Sequence, residues 1–227
     1  MRPKAPVWLL ALALSVTGCA DARKDDYPLD AGRTWTYRML IRQGAEGSER
    51  VTEAQSVVTN LPGRQLAGQR VVPQRQDAFG SARIRLIRDD GIRVAEVGEV
   101  REPDGAEVAR PQPNLILLRP LVPGASWSAT WETMQSGQPV LVPMQKMVET
   151  TEGIVEVGAG RFTNALRLAI AGGGSVVING SPERVEVSGE EWFAPGVGLV
   201  QASFREVVVG HGEAATRVDL HLTASHP

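Results

Sequence analysis

The chain has 227 residues, with 24 Lys and Arg against 26 Asp and Glu, and a formal net charge of −2. That length suffices for one large β domain or two smaller halves with a buried core. A slightly acidic chain without a basic run argues against nucleic acid as a partner and against electrostatic attachment to an anionic bilayer.

The N-terminus carries the clearest signal. Arg2 and Lys4 precede an apolar stretch that begins near Val7 and closes at Leu14-Ser15-Val16-Thr17-Gly18-Cys19. A basic start, an apolar segment of this length and small residues before the cut read as a secretory signal over residues 1–18, too short for a membrane span. Val16-Thr17-Gly18-Cys19 resembles a bacterial lipobox, in which the Cys19 thiol is acylated and becomes the mature N-terminus. Removing Arg2 and Lys4 with the signal moves the net charge from −2 to −4. Membrane contact is then expected through the N-terminal lipid alone, since the several acyl chains of this modification are enough for stable anchoring. Cys19 is the only cysteine, so no intramolecular disulfide can form. Ala20 lacks the Asp that retains lipoproteins in an inner membrane. The expected location is therefore the periplasmic face of the outer membrane, or the cell membrane where there is no outer one.

Residues 19–27 read as a polar tether, and residues 28–227 as a single β domain. Trp35, Tyr37, Met39 and Ile41 alternate with Thr34, Thr36, Arg38 and Arg42, the pattern of a half-buried strand. Ala82, Ile84 and Leu86 alternate with Arg83 and Arg85. Asp89-Asp90-Gly91 then turns the chain into Ile92-Arg93-Val94 as a hairpin. Residues 103–113, rich in proline and polar side chains, read as a connection. Further strands follow: Trp127, Ala129 and Trp131 share a face, and Leu166, Leu168 and Ile170 share another. Val176-Val177-Ile178 and Val185-Glu186-Val187 flank the turn Asn179-Gly180-Ser181-Pro182. Val200, Ala202 and Phe204 alternate with Gln201 and Ser203; Val218, Leu220 and Leu222 close the chain. With 24 glycines and 15 prolines between such segments and no strong amphipathic helix, the fold class is all-β. The expected architecture is an antiparallel sheet curled into an open or half barrel.

Pro28-Leu29-Asp30-Ala31-Gly32-Arg33-Thr34-Trp35-Thr36 matches Pro120-Leu121-Val122-Pro123-Gly124-Ala125-Ser126-Trp127-Ser128. Each pairs a turn at glycine with a tryptophan delivered to a new strand. Duplicated halves over 28–112 and 120–227 would explain the match; chance reuse of good turn chemistry is the alternative.

Pro28-Leu29-x-x-Gly32-x-x-Trp35-x-Tyr37, Val157-Gly158-Ala159-Gly160-Arg161-Phe162 and Trp192-Phe193-Ala194-Pro195-Gly196-Val197-Gly198-Leu199-Val200 together resemble uncharacterised bacterial envelope lipoproteins of domain-of-unknown-function type. More distantly, the chain is similar to the LolA/LolB-type lipoprotein carriers of the periplasm. The resemblance implies a curled antiparallel sheet and no catalytic residue.

No motif carries reaction chemistry. Gly158-Ala159-Gly160-Arg161-Phe162-Thr163 has Thr where a dinucleotide fingerprint needs its third Gly, and Gly172-Gly173-Gly174 lacks the Lys-Ser/Thr of a phosphate loop. Gly124-Ala125-Ser126-Trp127-Ser128 approaches a nucleophile elbow but ends in Ser, with no helix to follow. The histidines are His211, His221 and His226; His211 and His221 could meet across a hairpin with Asp219 or Glu213, in a spacing that matches no zinc pattern. Glu190-Glu191 and Asp89-Asp90 are adjacent, so in a strand their side chains point to opposite faces and cannot pair for acid–base work. The tryptophans Trp35, Trp127, Trp131 and Trp192 read as core anchors before pocket walls.

The expectation is therefore a lipid-anchored envelope protein with a non-catalytic binding or assembly role, whose partner is an envelope protein or a lipid. No metal or cofactor is expected. The alternative is a periplasmic carrier or acceptor of lipid or lipoprotein that uses a concave apolar face. A carrier needs a sizeable cavity; an assembly module needs a filled core and an exposed flat patch.

Overall fold

The computed structural model describes residues 26–45, 47–101, 104–133, 140–178, 180–210 and 215–227. Cys19, the signal, most of the tether, His211 and Glu213 lie outside them. The strands are β1 (Thr34–Gly44), β2 (Arg50–Asn60), β3 (Arg64–Leu66), β4 (Gln69–Ala78), β5 (Ser81–Asp89), β6 (Arg93–Arg101) and β7 (Ala106–Leu118). They continue as β8 (Ser126–Thr133), β9 (Val140–Val157), β10 (Gly160–Ile178), β11 (Ser181–Ala194), β12 (Gly198–Val209) and β13 (Ala215–His226).

The sheet runs β7-β6-β5-β4-β2-β1-β13-β12-β11-β10-β9-β8, every pair antiparallel, with β3 a short flap on β4. Chain neighbours pair throughout each half, so each half is a meander. The two halves are joined by β1 pairing with the last strand, Thr34 opposite His226 and Gly44 opposite Ala215. The two ends of the sheet, β7 and β8, face each other without a ladder, leaving a nearly closed barrel with one unsealed seam.

Local chemistry explains the seam. Residues 103–113, expected as a connection, belong largely to β7, and the halves are joined instead by residues 119–125. Pro111 and Pro113 have no N–H to give, so this part of β7 cannot sustain a ladder and is confined to an edge. Its pairing with β6 also slips between Glu96 and Gly98. Asn114 bridges the gap: its Nδ2 donates to the Thr130 carbonyl at 3.2 Å, and the Thr130 N–H donates to its Oδ1 at 2.9 Å. One side-chain amide thus stands in for a strand's backbone.

The two Pro-Leu-x-x-Gly motifs build the same turn. The Gly32 N–H donates to the Asn60 carbonyl and the Asn60 N–H to the Arg33 carbonyl; Gly124, Val148 and Ala125 repeat both bonds, all four within 2.8–2.9 Å. Gly32 and Gly124 sit at φ +88° and +85°, where a side chain would be strained. Trp35 and Trp127 emerge from these turns 4% exposed each.

The segments that carry the family resemblance meet at this end of the barrel. Trp35 Nε1 donates to the Val197 carbonyl at 2.6 Å, Tyr37 Oη to that of Leu199 at 2.9 Å, and Arg33 to that of Gly196. A Cβ on Gly198 would come within 3.3 Å of Pro28. The β9–β10 hairpin curls over to β13, with the Ala159 N–H donating to the Leu222 carbonyl at 3.0 Å. Trp35, Tyr37, Val58, Val155, Ala165 and Leu222 pack together there. Each large apolar side chain so buried contributes roughly 1.5–3 kcal/mol.

The last two tether residues belong to the fold. Asp26 is buried, and the Tyr27 ring lies 6.3 Å from that of Phe193. Asn60 Nδ2 donates to the Pro28 and Asp30 carbonyls, both at 3.1 Å, and strapping this segment across the barrel end closes it.

Candidate functional site

The barrel encloses a cavity of about 400 Å³, and its two walls differ in chemistry. One wall, from β4 to β7, presents Gln74, Gln76, Arg83, Arg85, Glu96 and Asn114. The other, from β1 and β11 to β13, presents Trp35, Tyr37, Met39, Phe193, Phe204 and Leu220, interrupted by Glu191 of β11 beside Lys146 of β9. Trp131 of β8 adds to the apolar side, its ring centroid 4.7 Å from that of Phe204.

Alternation on β5 left open which face is inside, and the structure turns the arginines inward. Arg83 and Arg85 line the lumen, while Leu86 is fully buried elsewhere, its Cδ1 3.4 Å from where a Cβ on Gly98 would sit. Ile87, two residues on from Arg85, shares the inward face and enters the core with Trp127, Leu166 and Phe193; the bulge opposite Leu86 and Ile87 lies on β6, where Val97 is the extra residue. The alternation of β5 holds, and the arginine face is the one that looks inward.

Most lumen charges are mutually neutralised. Lys146 Nζ and Glu191 Oε2 are 2.7 Å apart, with side chains 5% and 12% exposed. At the seam, Arg110 meets Glu96 at 2.7 Å, and Arg83 meets Glu132 at 2.8 Å and Glu99 at 3.0 Å. These contacts join β5, β6 and β7 to β8 where the ladder is missing. Burial pulls the Arg83 pKa down, but Glu132, Glu96 and Glu99 together hold it above the ordinary arginine value. Glu206, 5% exposed, accepts from Trp131 Nε1 at 2.6 Å and from the Thr133 hydroxyl.

Arg85 is different. Its Nη2 donates to Gln74 Oε1 at 3.1 Å, its Nε is buried without a hydrogen-bond partner among the described residues, and no carboxylate pairs with it there. Gln74 Oε1 also accepts from Tyr27 Oη at 3.0 Å, while Gln74 Nε2 donates to Asn60 Oδ1 at 3.1 Å. Burial pushes the Tyr27 and Tyr37 phenols up, and the Arg85 charge opposes that in both. Both hydroxyls therefore remain neutral donors at any physiological pH.

The remaining sequence candidates fall elsewhere. Glu190 and Glu191 do point to opposite faces, Glu190 outward onto Arg167 and Glu191 into the lumen. Gly172 and Gly173 allow close strand approach, a Cβ on either falling within 2.4 Å of a neighbouring carbonyl oxygen. Trp127 is a core anchor, Trp35 and Trp131 also line the lumen, and Trp192 lies outside, 5.4 Å from the Arg167 guanidinium. His221 sits in the ladder between Arg38 and Gln201, and no group of metal-ligating side chains occurs among the described residues. Ser126 opens β8 opposite Met147 and is exposed. The lumen charges Arg83, Arg85, Glu96 and Lys146 were not singled out from sequence; arginines at alternate positions beside Gln74 and Gln76 were the only hint.

No family model and no curated protein matches the chain. Among solved structures, the barrel is similar to a protein of Bacteroides fragilis described as exported and as having a YmcC-like fold. The TM-score is 0.50 at 14% identity, over 88% of this chain and 98% of that one. A second, from Parabacteroides distasonis and described as a lipoprotein, aligns at TM-score 0.41 and 11% identity over the same shares of the two chains. At such identities the first likeness shows the fold: this chain is similar to an exported bacterial β protein of YmcC-like fold.

Proposed function

We propose that the chain is an exported envelope protein, anchored through Cys19, whose barrel lumen binds a small amphiphilic ligand. The carrying observation is the two-sided cavity: about 400 Å³ with an aromatic and aliphatic wall facing a polar, charged one. That volume lies toward the lower end of ligand pockets, roughly 300–1,000 Å³, which favours a single-chain ligand over a two-chain lipid. Of the two functions weighed from sequence, the carrier or acceptor is the one that requires such a cavity. Binding is favoured over catalysis because Glu96 and Glu191 are held in ion pairs at 2.7 Å, which suits structural charges better than proton shuttles. Export agrees with the signal-like N-terminus and with the solved neighbour described as exported.

The test is mass spectrometry of small molecules that co-purify with residues 20–227, beside a Val218→Trp variant that fills the lumen. A stoichiometric amphiphile on the wild type and its loss from the variant are expected. A ligand-free wild type that also fails to take up added single-chain lipids would refute the lumen as a binding site.

A further inference from the structure

The geometry points to a ligand class: a single-chain amphiphile with an oxyanion head group, a fatty carboxylate being the simplest, whose head pairs with Arg85 and whose tail lies on the aromatic wall. This deepens the lumen-binding reading and rests on it. Among the described residues, Arg85 is the lumen cation without a carboxylate in ion-pairing distance. Lys146 has Glu191 at 2.7 Å, and the seam arginines Arg83 and Arg110 have Glu96, Glu99 and Glu132. The seam cluster carries one more carboxylate than guanidinium, but Glu99 and Glu132 are 40% and 27% exposed and spend that charge toward water. Neither comes within ion-pairing distance of Arg85 among the described residues.

A guanidinium offers five N–H donors in a planar fork, and Arg85 spends one of them on the neutral amide oxygen of Gln74. Arg85 is half-buried and its Nε is buried without a hydrogen-bond partner among the described residues; leaving such a cation without a counter-charge is costly, and a carboxylate accepting two of its free N–H groups would offset that cost. The surroundings leave this role to a ligand: the Tyr27 hydroxyl is spent on Gln74 and the Tyr37 hydroxyl on the Leu199 carbonyl. A hydrocarbon tail leaving such a head meets Tyr37, Met39 and Phe204 across the same cavity.

The experiment is isothermal titration of residues 20–227, which contain every described residue of the barrel. The titrants are dodecanoate and 1-dodecanol, both below the concentration at which they self-associate, with wild type, Arg85→Gln and Arg85→Lys. Wild type is expected to bind dodecanoate at least about tenfold more tightly than dodecanol, the scale of one charge-assisted pair. Arg85→Gln should abolish that preference and leave dodecanol affinity within about threefold of wild type, and Arg85→Lys should keep part of the preference. Equal affinities for the two titrants in wild type, or a preference that survives Arg85→Gln, overturns the assignment of the head group while leaving the lumen as a site. If neither titrant binds wild type, both readings fall. Thermal melts establish folding; should Arg85→Gln not fold, the wild-type ratio and Arg85→Lys decide.

Discussion

At the scale of single residues, the lumen holds charge in a place where the surrounding wall offers little hydration. Lys146 and Glu191 face each other across β9 and β11, and neither is more than 12% exposed. A buried pair of this kind contributes little net stability, yet removing one partner strands the other. Lys146→Met should therefore lower unfolding stability by about 3–5 kcal/mol in urea titrations. The double change Lys146→Met with Glu191→Met should recover most of that loss, because matched apolar side chains replace a desolvated pair. A double variant as unstable as the single one would refute this account. Glu191 was visible in sequence only as one of two adjacent carboxylates. That it turns inward follows from Phe193 and Val187 sharing its face, which a period-two pattern allows but does not choose.

At the scale of elements, turns and strands were largely legible and pairings were not. The Asp89-Asp90-Gly91 turn forms as its chemistry demands. Asp90 Oδ1 accepts the N–H groups of Ile92 at 3.1 Å and Arg93 at 2.7 Å. The β10–β11 hairpin also closes where Gly180 indicated, Ile178 opposite Ser181. Residues 103–113 misled because proline marks both linkers and edge strands, and only the partner strand distinguishes them. The seam that results is held by Asn114. Asn114→Ala should cost about 1–3 kcal/mol, since Thr130 loses both amide bonds. Amide exchange at Thr130 should quicken while that of Leu168, in the β9–β11 core, stays unchanged; an unaltered Thr130 rate would show that the seam is held by its charges instead.

At the scale of the whole molecule, the described residues begin at Asp26, seven positions after Cys19, with Asp26 and Tyr27 already docked on the barrel. An acyl anchor at Cys19 would thus place the strapped end of the barrel near the bilayer. Cys19→Ser should abolish incorporation of a fatty-acid analogue and move the protein from the membrane to the soluble fraction. Label that persists on the variant would rule out Cys19 as the modified residue. The amino-acid sequence by itself determined the strand class and the glycine turns, because these depend on local periodicity and φ preference. Only the tertiary structure decided that Arg83 and Arg85 look into a lumen and that β1 pairs with β13. Alternation defines two faces of a strand without saying which is inside, and that choice is made by strands distant in sequence that wrap around it.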